Sequence, residues 1–223
     1  ASSAFYVKAN FDGEIGDMDY QGNIGLRYVK IENDTAGFVS FPDNVPTDPD
    51  APDAFLPPDQ AAFGNNGSSI QTASASYSNV LPSLNLKLNV NEEFLIRFGF
   101  SEAISLPQLG LLRNFVAIRA EDQVNVFEAN PAPGEEPQII SSTYGRYTAN
   151  SGNPFLKPME AYNYDLTFEW YFSEAGSLTT SLFYKDISNY FVNDVTLREF
   201  TNNGSTQTVQ VRGASNGDEG KIQ

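Results

Sequence analysis

The side chains that could do chemistry in this chain are carboxylates, hydroxyls, guanidinium groups and aromatic rings, because its 223 residues include neither cysteine nor histidine. The lack of both excludes cysteine nucleophiles, disulfide frameworks, Ser-His-Asp triads and histidine-ligated zinc. A net charge of −15 also argues against a nucleic-acid partner, since phosphate binding requires clustered lysine and arginine. We therefore expect no cofactor and no nucleic-acid binding.

Two carboxylates, Asp165 and Glu169, lie in a segment where every second residue is apolar. Paired carboxylates are the catalytic groups of glycoside hydrolases, so an enzyme of that class is one alternative. The alternation also predicts a polar strand face, which Asp165 and Glu169 would share with Arg97 and Lys185. We interpret these four residues as lining a polar lumen and predict no catalytic residue, because nothing distinguishes them from an ordinary polar lining.

The clustered cations with neighbouring aromatic rings are the second candidate group. A small-molecule ligand, either a ferric siderophore or an oligosaccharide, could be held there by charge pairing or ring stacking. The alternative is ordinary surface polarity, since most exposed charges have no specific partner. We predict ligand binding in an outer loop by Arg113, Arg119, Tyr144, Arg146 and Tyr147.

The stretch 30–79 is acidic and rich in proline. Asp48, Asp50 and Asp53 could form a calcium loop, since hard cations prefer clustered carboxylates. The motif from Asp48 to Asp53 lacks the glycine that such a loop needs to turn, so we favour a solvated outer loop and predict no metal site. Its aromatic side chains either stack on a ligand or fold the loop onto itself: Phe38, Phe41, Phe55 and Phe63.

Alternation of apolar and polar residues is the main signal for secondary structure. It recurs in six segments near the ten-residue length of a tilted membrane-spanning strand. In 162–172, for example, Leu166, Phe168 and Trp170 share one face. The charged residues of the segments all fall on the opposite face. The predicted strands are 4–11, 22–29, 80–90, 94–101, 162–172 and 177–185.

The connections between these segments are alternately short and long. Short gaps fall at 12–21, 91–93 and 173–176, whereas the long ones are 30–79, 102–161 and 186–223. Tight turns at one rim and long loops at the other are typical of an outer-membrane barrel. Folding the last two segments about Ala175 predicts that Asp165 pairs with Lys185 and Phe168 with Leu182.

Four passages resemble the barrel region of TonB-dependent receptors, in order and in spacing. They are GNIGLRYVKIEN at 22–33, YSNVLPSLNLKLNVNEEFLIRFGFSEAISLP at 77–107, GNPFLKPMEAYNYDLTFEWYF at 152–172 and SLFYKDISNYFV at 181–192. The likeness points to the Caulobacter/Xanthomonas-type group of the family. It implies a transmembrane barrel of about 22 strands that is filled by a plug and energised from the inner membrane through TonB.

We therefore predict an all-β fold of antiparallel up-and-down strands, about six strands of that large barrel, with the plug absent from this fragment. The resemblance implies a non-enzymatic receptor in the bacterial outer membrane that takes up a scarce nutrient. Its partners would be outer-membrane lipid, TonB through the missing plug, and an oligosaccharide or iron chelate as ligand.

A secreted β-sandwich that binds glycans or proteins is the alternative architecture, because a sandwich also keeps charge off its buried face. The two differ in what covers the apolar strand faces. A sandwich would enclose Leu84, Phe98, Leu166 and Trp170 within the same polypeptide, whereas a barrel would leave them for lipid.

Overall fold

The computed structural model describes residues 1–43 and 56–222, and there the chain forms eleven strands and one short helix. The elements in chain order are β1 (Ser2–Ile15), β2 (Met18–Ser40), α1 (Pro58–Phe63), β3 (Ser68–Asn89), β4 (Phe94–Ser105), β5 (Phe115–Phe127), β6 (Ile139–Ser151), β7 (Met159–Ser173), β8 (Gly176–Ser188), β9 (Phe191–Asn202), β10 (Ser205–Asn216) and β11 (Glu219–Ile222).

Seven of the strands form an antiparallel wall in the order β1, β2, β3, β4, β7, β8 and β11. The three tight turns of this wall, at 16–17, 90–93 and 174–175, lie at the same end. Gly16 has a φ of 63°, a left-handed conformation that glycine adopts without steric cost. The predicted antiparallel, up-and-down arrangement is therefore confirmed for the wall.

Apolar side chains stand opposite one another across the wall. Leu84 lies between Ile24 of β2 and Phe100 of β4. Leu166 lies between Phe98 of β4 and Leu182 of β8. Directly opposite residues of neighbouring strands share a face. The alternation predicted strand by strand thus merges into one continuous apolar surface.

The chain does not enclose that apolar surface. Trp170 is 47% exposed, and Leu84, Phe98 and Leu166 are each partly exposed. The described part of the chain provides no second layer over them, so the β-sandwich alternative is wrong.

The enclosed core lies beyond the wall, at the end opposite the tight turns. There β2 continues past the top of β1 and pairs in parallel with β5, and the sheet extends through β6, β10 and β9. We call this part, together with α1, the outer layer. The buried residues that form its core are Val39, Phe41, Phe63, Val116, Ile118, Tyr147, Ala149, Phe200, Val209 and Val211.

The outer layer corrects the predicted strand count and loop bounds. Eleven strands are present in the described residues where about six were expected, and two pairs, β2 with β5 and β6 with β10, are parallel. The expected loop 30–79 holds the end of β2, α1 and the start of β3, while 102–161 holds β5 and β6, and 186–223 holds β9, β10 and β11. The described parts of these stretches contain paired strands and bury a core, so they are not structureless.

The register predicted for the pairing of β7 with β8 is wrong by two residues. Lys185 lies opposite Asn163, and Asp165 lies opposite Phe183. One residue of the shift arises at the turn, where Ser173 pairs with Gly176. The irregularity between Trp170 and Ser173 adds one residue on β7 and accounts for the other. An even shift leaves every side chain on its predicted face.

The proposed calcium residues Asp48, Asp50 and Asp53, and with them Phe55, lie outside the described residues. Within 1–43 and 56–222, acidic side chains form no group of three that could hold a metal ion. In the same ranges, the chain has no helix with the length and apolar character needed to cross a membrane.

Candidate ligand-binding surfaces

The sheet has two faces, and both continue from the wall into the outer layer. We call the face that carries Arg97 and Asp165 the inner face, and the face that carries Leu84 and Leu166 the outer face. Strand β2 links the two regions because its register with β3 is unbroken from Asp19 to Ser40. Side chains alternate strictly along such a strand, so a residue's face in the outer layer follows from its pairing.

The four residues predicted to line a lumen all lie on the inner face, but only two of them are in contact. Arg97 Nε donates to Glu169 Oε1 at 2.6 Å. The Tyr171 hydroxyl donates to the other carboxylate oxygen of Glu169 at 2.8 Å. Asp165 lies opposite Gly99, and Lys185 lies opposite Asn163. Glu169 is thus occupied by its neighbours, which does not favour a catalytic carboxylate pair.

The structure separates the five residues predicted to bind a ligand. Tyr147 is 4% exposed and packs in the outer-layer core, with its ring centroid 4.8 Å from that of Phe63. Burial raises the pKa of Tyr147 to about 12 because the phenolate would be poorly solvated. Tyr144 is half-buried beside Tyr147, and its backbone exchanges two hydrogen bonds with the Gln60 side chain. These two tyrosines build the core.

Arg119 and Arg146 lie on the outer face, where Arg212 joins them in a cleft of about 330 Å³. Arg146 forms ion pairs with Glu121 at 3.2 Å and Asp122 at 3.1 Å. Arg212 was not among the residues predicted from the sequence, because it comes from β10, a strand that was expected to be loop. We call this group the arginine cleft.

Arg113 lies apart from the arginine cleft, in the segment between β4 and β5, where its Nε donates to the carbonyl of Gly110 at 3.1 Å. That segment contacts the GNPFLKP passage, residues 152–158. A Cβ on Gly152 would lie 2.2 Å from the Arg113 carbonyl oxygen, so only glycine fits at this crossing.

The 152–158 segment is fixed by hydrogen bonds on the inner face. The Asn153 backbone donates to Leu111, and its side chain donates to the carbonyl of Ala214. The Tyr77 hydroxyl donates to the Phe155 carbonyl at 2.7 Å. Leu156 is almost completely buried. The segment is therefore a rigid link between the wall and the outer layer, and its two prolines restrict its backbone further.

A pocket of about 320 Å³ lies between this segment, β3 and the β9–β10 hairpin. Three alternate residues of β9, Asp194, Thr196 and Arg198, line it together with Phe155. Asp194 Oδ1 accepts a hydrogen bond from the Val195 backbone at 2.7 Å. We call this site the inner-face pocket. The inner-face pocket was not predicted from the sequence, although polar residues at every second position of β9 are a strand signal.

Comparison with known proteins identifies one family. A family model described as TonB dependent receptor-like, beta-barrel, matches residues 1–221. No curated protein sequence matches the chain.

Among solved structures, the chain is similar to the siderophore receptor PirA from Acinetobacter baumannii, with 16% identity and a TM-score of 0.44 over 100% of this chain and 33% of that one. It is also similar to the hemophore receptor HasR from Serratia marcescens, with 13% identity and a TM-score of 0.50 over 99% of this chain and 30% of that one. For the ferric enterobactin receptor PfeA from Pseudomonas aeruginosa, the values are 13% and 0.45, over 99% and 32%. The chain thus spans about a third of the length of these receptors.

Proposed function

Because the chain belongs to the TonB-dependent receptor-like β-barrel family, we propose that it forms part of the wall and outer loops of an outer-membrane receptor for a scarce nutrient. The ligand would be an oligosaccharide or a ferric siderophore. Transport would depend on a plug and on TonB, and the lipid of the outer membrane would surround the wall.

The observation that carries this proposal is the banded outer face of the wall. Along β2 that face is apolar or aromatic from Tyr20 to Tyr28, which is nine residues. Above Tyr28 it turns polar, with an ion pair between Lys30 and Glu32 and then Asp34. About nine to eleven residues of a tilted strand cross the hydrocarbon layer.

Neighbouring strands repeat the two limits of this band. On β3 the apolar residues end at Val80, and Ser78, Ser76 and Ser74 follow opposite the charged residues of β2. Aromatic rings mark both limits, as expected where lipid meets water. Trp170 contacts Phe172 near the tight turns, while Tyr164 contacts Phe100 and Tyr184 near the other limit.

Site-directed labelling of this stretch gives no background from native cysteines, because it contains none. We expect oxygen dissolved in the bilayer to accelerate the spin relaxation of a nitroxide attached at Leu166→Cys on the outer face. For the matched label at Thr167→Cys, on the inner face, a water-soluble nickel chelate should instead have the larger effect on spin relaxation. If both labels prefer the nickel chelate, the wall does not face lipid.

Uptake is tested with the complete receptor in a strain that lacks its chromosomal copy. We expect energy-dependent accumulation of a labelled oligosaccharide or iron chelate, and its loss when tonB is deleted. Equal accumulation with and without TonB would contradict the proposed function.

A further inference from the structure

We infer that the inner-face pocket binds a neutral polyhydroxylated ligand, in particular a sugar ring of an oligosaccharide. The inference rests on the proposed function, because it names the chemical class of the nutrient that such a receptor would take up. It also assigns the ligand to residues other than the predicted arginine–tyrosine group.

The position of the pocket follows from one lateral row of paired residues. Val39 of β2 lies opposite Val116 of β5, which lies opposite Ser151 of β6. Ser151 lies opposite Gly213 of β10, which lies opposite Asp194 of β9. Opposite residues share a face, so Asp194 lies on the face that lower down carries Arg97 and Asp165. A ligand moving into the barrel would therefore pass the inner-face pocket, while the arginine cleft lies on the opposite face.

An exposed aromatic ring, carried on a fixed backbone, borders the pocket. The Phe155 backbone donates to Asn153 Oδ1 at 3.0 Å and accepts from the Tyr77 hydroxyl. The next residue, Leu156, anchors the chain in the interior. The Phe155 side chain is nevertheless 57% exposed, although burying such a ring is favourable. Because the backbone is held and the ring is exposed to solvent, Phe155 offers a flat apolar surface against which the C–H face of a sugar can stack.

The polar side of the pocket offers both donors and acceptors. Asp194, Thr196 and Arg198 are exposed and available. Within the described residues Arg198 forms no ion pair, and its guanidinium lies 5.1 Å from the Phe200 ring centroid. One carboxylate, one hydroxyl and one guanidinium suit hydroxyl groups, which both donate and accept hydrogen bonds.

The charge of the site favours a neutral sugar over an anionic chelate. The carboxylate of Asp194 balances the guanidinium of Arg198, so these β9 residues contribute no net positive charge. The chain as a whole carries −15, which would repel an anion approaching the pocket. The volume of about 320 Å³ is at the small end of ligand pockets, which suits one sugar ring better than a complete iron chelate.

The test uses the complete receptor in detergent micelles and calorimetric titration with three neutral trisaccharides, namely maltotriose, xylotriose and N,N′,N″-triacetylchitotriose, with ferric citrate as the anionic comparison. We expect at least one trisaccharide to bind. Phe155→Ala should weaken that binding by about tenfold, the loss typical of removing an aromatic anchor, and Arg198→Gln should weaken it as well. Phe155→Trp keeps a flat ring and should retain binding, which shows that the segment has not simply unfolded.

Matched controls lie on the outer face of the same hairpin. Leu197→Ala on β9 and Arg212→Gln on β10 should leave trisaccharide affinity within about twofold. Three results would overturn the inference: no trisaccharide binds, binding is unchanged by Phe155→Ala and Arg198→Gln, or ferric citrate binds through Arg212 while the sugars do not. If ferric citrate binds and accumulates in a TonB-dependent way, the inference fails but the proposed function stands. If nothing accumulates in a TonB-dependent way, the proposed function itself fails.

Discussion

At the scale of single residues, position on a strand decides which side chains can act together. Arg146 and Tyr147 are neighbours in sequence, yet one lies in the arginine cleft and the other in the outer-layer core. Successive residues of a strand point to opposite faces, so the two cannot share a ligand. By contrast Asp194 and Arg198 are four residues apart and line the same pocket.

The hydroxyl of Tyr147 gives a residue-scale prediction. It is buried and has no hydrogen-bond partner within the described residues. We expect Tyr147→Phe to leave the free energy of unfolding within about 1 kcal/mol of wild type, because no hydrogen bond is lost. Tyr147→Ala should cost about 3–5 kcal/mol through the cavity it leaves. Chemical denaturation in micelles would measure both, and a large loss in Tyr147→Phe would reveal a missing partner.

The same side chain predicts a pH dependence at high pH. The folded pKa of about 12 lies above the ordinary value of 10, so the folded state holds the proton more tightly than the unfolded state. The resulting stability is fully present below pH 10 and is lost as pH rises through about 12. We expect Tyr147→Phe to remove this part of the pH dependence, as followed by unfolding midpoints between those values.

Gly152 predicts a steric effect at the crossing of two loop segments. Because an added Cβ would lie 2.2 Å from a backbone oxygen, we expect Gly152→Ala to destabilise the outer layer by about 1–3 kcal/mol. Gly110→Ala lies in the contacting segment, where a Cβ would meet nothing within 4 Å, and is the matched control. Hydrogen exchange of the β5 and β6 amides would report the difference, and equal exchange in the two variants would contradict it.

At the scale of elements, the wall and the outer layer use strands in different ways. Wall strands expose their apolar side chains, whereas β5, β6, β9 and β10 each bury part of theirs against α1 and the end of β2. The helix contributes Phe63, whose ring meets Phe41 and Tyr147 edge-on. The long segments between wall strands are therefore a packed layer within the described residues, and its rigidity positions the inner-face pocket.

The register of β7 with β8 predicts a cross-linking result. Directly opposite residues have Cα atoms about 4.5–5.5 Å apart, within the range a disulfide can bridge. We expect the pair Asn163→Cys and Lys185→Cys to form a disulfide on mild oxidation. The pair Asp165→Cys and Lys185→Cys, which corresponds to the register predicted from sequence, should form it far less. Gel mobility under non-reducing conditions would decide between the two registers.

At the scale of the whole molecule, the apolar wall has the form of a surface that meets hydrocarbon. Exposed apolar side chains lie opposite one another on neighbouring wall strands, as Phe5 and Val80 do on either side of Tyr28, and the described chain does not cover them. Such a surface is unfavourable in water. An outer-membrane barrel accounts for it together with the polar inner face.

We expect the wall to tolerate a charged substitution on its inner face better than on its outer face. Leu166 lies near the middle of the apolar band, so Leu166→Arg should reduce the stability of the folded receptor in bilayers by about 2–4 kcal/mol. Ser181→Arg places the same charge on the inner face, opposite the uncharged Thr167, and should have little effect. Reversible unfolding into urea from lipid vesicles would measure the difference, and equal costs would argue that lipid does not contact this face.

The sequence by itself determined the wall and its membership in a family. Alternation in 162–172, together with short gaps such as 91–93, is a local signal, and it correctly predicted faces, tight turns and the antiparallel order. The side-chain period of two makes those faces insensitive to the two-residue register error.

Only the tertiary structure decided the outer layer and the pocket within it. Strands β6, β9 and β10 are rich in serine, threonine and asparagine, so their apolar contrast is weak. The parallel pairings of the outer layer also join residues far apart in sequence. Those long-range pairings bring Phe155 to Asp194 and Arg198, and they separate Arg119 from Tyr147. Local periodicity carries no information about which distant strand will be a neighbour, because that choice depends on the packing of the shared core.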